Sequence, residues 1–170
     1  LVIDGIAPTF NSADSTPTDN ATAVSTTDNI VIDFNENIFK GTGLINLYHV
    51  TENRSYETYD IALATTTSSP ADGAVGIFND KLYINPTPTM FENSVYAIQI
   101  APTAIDDAAG NSFTGITDET TLNFTTGDFT APTFDTTPAI SSLAATSFTL
   151  NIDINESGGA FYVVVVDGAT

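Results

Sequence analysis

Two segments of the chain carry the same pattern. Asp4-Gly-Ile-Ala-Pro-Thr-Phe10 and Asp128-Phe-Thr-Ala-Pro-Thr-Phe134 both read Asp-x-x-Ala-Pro-Thr-Phe, 124 residues apart. A second pair follows in the same order, Ile32-Asp-Phe-Asn-Glu36 and Ile152-Asp-Ile-Asn-Glu156, 120 residues apart. Repeating an acidic, proline-stiffened junction and then an acidic strand end constrains the fold to a modular one. Proline fixes its own φ, so Pro8 and Pro132 set how the chain enters each first strand. The spacing implies one domain of about 120 residues, within the usual range. We expect a linker over 1–8, a complete domain over 9–127, a second linker over 128–132, and the beginning of a further domain, about three strands, over 133–170. About three strands cannot close a two-sheet sandwich, so more polypeptide is expected to complete that unit.

Periodicity inside each copy is that of strands. Ile30, Ile32 and Phe34 alternate with Val31, Asp33 and Asn35, the pattern of a half-buried strand. Further strands are predicted at 9–15, 44–50, 56–64, 95–101 and 121–126. A hairpin is predicted from Ala74–Phe78 to Leu82–Asn85 across Asn79-Asp80-Lys81. In the second copy, Phe148, Leu150, Ile152 and Ile154 alternate with polar residues, and Phe161 to Val166 is apolar on both faces. No stretch has helical periodicity. Thr favours strands, while Asn, Asp and Ser favour turns. The fold class is all-β, an antiparallel sandwich with Greek-key connections. Tyr96 falls where such sandwiches place a tyrosine corner; the alternative is an ordinary core Tyr.

Charge excludes several functions. Lys and Arg total 3 against 21 Asp and Glu, a formal charge of −18. Nucleic acid binding needs Lys or Arg against phosphate, and anionic membrane surfaces are disfavoured for the same reason. No apolar run approaches the roughly 18 residues that cross a bilayer. Such a charge repels itself in a compact state, which divalent cations would offset. With no Cys there is no disulfide framework, and bound Ca²⁺ is one alternative source of rigidity. The catalytic inventory is thin. His49 is the one His and lies in a predicted strand, without a nucleophile elbow or a His-Glu-x-x-His helix. It reads as a surface or packing residue, and no enzyme is expected.

Six motifs in order resemble bacterial immunoglobulin-like domains of the S-layer and large surface adhesin type. They are Ala7-Pro-Thr, Ile32-Asp-Phe-Asn-Glu36, Leu82-Tyr-Ile-Asn-Pro86, Tyr96-Ala-Ile, Asp107-Ala-Ala-Gly-Asn111 and Phe124-Thr-Thr. Residues 131–170 look like the start of a fibronectin-III-like module, through Thr146-Ser-Phe-Thr-Leu150 and Asn155-Glu-Ser-Gly-Gly-Ala-Phe-Tyr-Val163. The resemblance implies an immunoglobulin-like sandwich within tandem extracellular repeats at a bacterial surface, often with Ca²⁺ near domain junctions. Its partners would be neighbouring domains of the same longer chain, and a cell-surface or glycan ligand bound through another domain.

Topology places the acidic residues. In a sandwich, the loops after the second and the penultimate strands return to the end where the chain comes in. Asp4 in the linker, Glu36, and Asp106, Asp107 and Asn111 should therefore converge, with Gly110 allowing a tight turn. Ca²⁺ takes about 6–8 oxygen ligands from such residues. Asp128 and Glu156 repeat two of these positions, and Asp14, Asp19 and Glu92 lie in loops at the far end of the first domain. The candidate Ca²⁺ ligands are thus Asp4, Glu36, Asp106, Asp107, Asn111, Asp128 and Glu156. The expected function is a Ca²⁺-stiffened spacer or adhesion module. The alternatives are an S-layer lattice component, or an accessory or carbohydrate-binding domain of a secreted hydrolase, for which Tyr48, Tyr56, Tyr59 and Tyr83 could offer a sugar-stacking platform.

Overall fold

The alternation at Ile30, Ile32 and Phe34 becomes strand β3 (Ile30–Phe34), and all three side chains are buried. The computed structural model describes residues 4–87, 89–157 and 160–165. Two compact units emerge, Leu1–Asp128 and Phe129–Thr170.

In the first unit β3 lies inside a four-stranded sheet. β1 (Phe10–Thr16) pairs on one side and β8 (Lys81–Asn85) on the other, with β7 (Ala74–Phe78) beyond it. β7 and β8 form the predicted hairpin, with Phe78 facing Lys81 and Asn79 at a φ of 58°, the left-handed conformation that Asn tolerates. The second sheet runs β2 (Ala21–Val24), β11 (Asn123–Thr126), β9 (Val95–Ile100), β5 (Leu44–His49), β6 (Arg54–Asp60). Ile45, Leu47, Tyr96, Ile98, Ile100 and Phe124 face Ile30, Ile32, Leu82 and Ile84 across one core. The all-β sandwich read from the sequence is the fold, and no α-helix occurs among the described residues.

Three details depart from expectation. The first strand splits: after β1 the chain crosses to the other sheet as β2, where it pairs parallel to β11. Only four residues long, with Ala23 at positive φ, β2 carries no alternation to reveal it. The stretch between the strands predicted at 95–101 and 121–126 contains a further one, β10 (Ile105–Asp106), which pairs with β4 (Phe39–Lys40). In the second unit β12 (Phe134–Ser141) pairs antiparallel with β13 (Thr149–Ile154). Residues 161–165 of the run 161–166, expected as a strand, form no regular structure; an apolar run pairs only where a neighbouring edge receives it. Val166 of that expected strand lies outside the described residues.

Polar groups inside the first unit are held in specific ways. Asp33, on the outward face of β3, pairs with Lys81 and takes a hydrogen bond from Asn11 Nδ2 at 3.1 Å. His49 is buried and stacks on Tyr96 at 4.7 Å and on Phe91 at 5.5 Å, so of the two roles expected, surface or packing, it takes packing. The Tyr96 hydroxyl accepts the backbone N–H of Phe91 at 2.9 Å, a bond five residues back along the chain that makes a tyrosine corner. Burial pushes the Tyr96 hydroxyl up to about 12. Removing that oxygen strands a part-buried N–H, which costs about 1–3 kcal/mol. Tyr96→Phe should lower the unfolding free energy by that amount in a urea titration while leaving the far-ultraviolet circular dichroism unchanged.

Candidate metal centre

β3 ends at Phe34, whose ring meets Phe113 edge to face at 5.3 Å. Phe113 follows the loop Asp107–Asn111, and its N–H bonds the Ile105 carbonyl at 2.8 Å. The two rings therefore pin that loop against the end of β3, beside Glu36. The linker is tied to the same place. Thr9 donates its N–H to Asn35 Oδ1 at 2.7 Å and accepts the Asn35 N–H at 3.1 Å. Pro8, just before it, is buried. Asp4 is thereby carried back over the loop after β3.

Asp4, Glu36 and Asp107 offer carboxylate oxygens that all lie within 4.8 Å of one another. Asp107 is buried, Glu36 half-buried and Asp4 exposed. The Asp107 carboxylate is positioned by its own loop. Its Oδ1 accepts the N–H groups of Ala109 and Asn111, both at 2.8 Å, and its Oδ2 accepts Asn111 Nδ2 at 2.6 Å. Gly110 closes the turn at a φ of 88° with open space around its Cα, so glycine is needed there for conformation and not for room. Asn111 Nδ2 also reaches the Asp4 carbonyl at 3.3 Å and ties linker to loop.

Of the residues singled out in the sequence, the structure brings Asp4, Glu36 and Asp107 together, with Asn111 beside them. Asp106 points elsewhere and accepts the Ser112 hydroxyl at 2.6 Å. Asp106 is the last residue of β10, and Asp107 begins the loop that follows. Asp128 belongs to the first unit and Glu156 to the second, and neither joins a group of three metal-binding side chains among the described residues. Sequence reasoning missed the positioning residues Asn35, Phe34 and Phe113. The repeat of Asn35 as Asn155 was the available signal for the first.

The electrostatics of the three carboxylates are uneven. Glu36 is raised above the ordinary carboxylate value by desolvation, then by the charges of Asp107 and Asp4. Asp107 is lowered, chiefly by the Asn111 amide and then by backbone N–H groups. An all-oxygen donor set of three carboxylates, with the Asp4 carbonyl close by, suits a hard cation such as Ca²⁺, water completing the shell.

Comparison with known proteins agrees with this architecture. Residues 4–126 match the bacterial Ig-like domain family, and the chain belongs to it. Such domains are typically non-catalytic modules of surface or secreted proteins. The match covers the first unit, and nothing supports a fibronectin-III module after it. No curated protein and no solved structure matches the chain.

The raised Glu36 fixes a sign. A carboxyl whose folded pKa lies above its unfolded value binds more protons when folded, so stability falls as pH rises from about 4.5 through the folded value. In chelator, Glu36→Gln should therefore be more stable than the parent at pH 7, and the advantage should vanish below about pH 4.5. Thermal melts across pH would show it.

Proposed function

We propose that the first domain is a non-enzymatic extracellular spacer or adhesion module of a large bacterial surface or secreted protein, stiffened at its incoming linker by Ca²⁺. The observation that carries this reading is the meeting of Asp4, Glu36 and Asp107 within 4.8 Å. The three come from separate segments of the chain, and one of them is the linker itself. A cation held there ties the linker to the loops after β3 and β10. Without it, like charges push the linker outward, since carboxylates this close cannot all ionise at no cost. The linker is then stiff where Ca²⁺ is plentiful and loose where it is scarce. The repeated Asp-x-x-Ala-Pro-Thr-Phe supports reading the second unit as a module of the same kind.

The carbohydrate-binding alternative fares worse. Tyr59 is buried and its hydroxyl bonds Glu57, while Tyr56 packs edge-on against His49 and Tyr96. Tyr83 lies on β8, in the other sheet from Tyr48. The four rings do not make one platform.

Extracellular modules bind Ca²⁺ at about 10⁻⁴–10⁻³ M. At about 10 mM Ca²⁺ such a site stabilises the fold by about 1.4–2.7 kcal/mol. Melting in Ca²⁺ against chelator should show a rise of several degrees. Glu36→Ala and Asp4→Asn should each remove most of that rise. A parent curve indifferent to Ca²⁺ contradicts the reading.

A further inference from the structure

Gly5 is a glycine that the fold does not require. Its φ lies outside the left-handed region, and a Cβ added there meets nothing within 4 Å. The second copy of the linker motif carries Phe129 at the matching place. What Gly5 alters is the chemistry of Asp4 before it. An Asp side chain can be attacked by the backbone nitrogen of the next residue, and glycine, with no side chain, shields that nitrogen least.

The described residues hold two Asp-Gly pairs, Asp4-Gly5 and Asp72-Gly73, and the structure treats them differently. Gly73 adopts a φ of 71° and donates its N–H to the Asn85 carbonyl at 2.8 Å. Asp72 Oδ1 accepts Asn85 Nδ2 at 3.1 Å. Nitrogen and carboxyl are thus both held in that turn. In the linker, Asp4 and Gly5 are exposed, and the Gly5 N–H bonds no described residue. Asp4 Oδ1 accepts the Ile6 N–H at 3.1 Å, which arches the carboxyl over the Gly5 peptide whose nitrogen would attack it.

We propose that Asp4-Gly5 is a self-modification site, where the cation-free linker converts Asp4 to isoaspartate and so releases itself permanently from the Glu36 and Asp107 loops. The Gly5 nitrogen bonds to Asp4 Cγ and closes a cyclic imide. The carboxyl hydroxyl leaves as water, its second hydrogen coming from the Gly5 N–H. One water then opens the ring at the former backbone carbonyl. One water leaves and one returns, so no outside reagent is consumed. The chain now runs through Cβ, and the carboxyl that met Glu36 and Asp107 has become a neutral amide. Pro8 and the Thr9–Asn35 pair still fix the chain downstream, so the loss is confined to the tether. A carboxylate engaged by Ca²⁺ has no hydroxyl to lose, and this protection rests on the Ca²⁺ reading given above. Each linker would then carry a lasting record of time spent without the cation.

The full 170-residue chain, aged for weeks at physiological temperature, tests this by peptide mapping. Isoaspartate is counted with a protein isoaspartyl methyltransferase and by uptake of heavy oxygen from labelled water. In chelator it should accumulate at Asp4 and not at Asp72. If only the cation-free form reacts, about 10 mM Ca²⁺ should slow it about 10–100-fold. Gly5→Phe, which copies the second linker, should abolish it while keeping the Ca²⁺-dependent rise in melting temperature. Isoaspartate forming no faster at Asp4 than at Asp72, or undiminished in Gly5→Phe, overturns the proposal even where Ca²⁺ still raises the melting temperature. Isoaspartate selective for Asp4 but formed equally fast with and without Ca²⁺, on a chain whose melting ignores Ca²⁺, supports the modification site and overturns the Ca²⁺ reading instead.

Discussion

Thr9 and Asn35 exchange two hydrogen bonds, and the functional geometry depends on that pair. It joins the first residue after Pro8 to the residue after β3. A linker would otherwise leave the domain in any direction. Held here, it returns over the loop that carries Glu36, and Asp4 arrives beside two other carboxylates. Phe34 and Phe113 do the equivalent for the Asp107 loop from the core side. The acidic cluster is thus a consequence of packing and of one polar pair, and the packing places like charges where a cation would relieve them.

Much of this was legible in the sequence. Strands with clear alternation, such as β3 and β9, have one buried face, and burying that face leaves few other conformations for the segment. The convergence of Asp4, Glu36 and Asp107 followed from strand direction alone. What stayed hidden has physical reasons. β2 and β10 are too short to show a period, and they exist because a neighbouring edge receives them. The run 161–166 shows the reverse, apolar and strand-like in sequence, yet without regular structure over its described residues. Asp106 and Asp107 are indistinguishable as letters, and the loop that follows β10 turns Asp107 into the cluster, its carboxylate held by Ala109 and Asn111.

The net charge of −18 takes on a definite meaning in this structure. All three cations have fixed partners: Lys81 with Asp33, Arg54 with Glu52, and Lys40 with the Ala62 carbonyl. None neutralises the cluster at the incoming linker. The same arrangement of Thr, Asn and acidic residues recurs in the second unit, with Thr133 and Asn155 already bonded. A chain of such units would alternate apolar cores with acidic, oxygen-rich ends, which is the distribution a cation-responsive stalk requires.

The most direct test is a crystal structure of the protein grown in about 10 mM Ca²⁺, with the ion identified by its anomalous scattering. A peak bonded to Asp4, Glu36 and Asp107 oxygens at about 2.3–2.6 Å is expected. A well-ordered linker with no peak among those three carboxylates would contradict it.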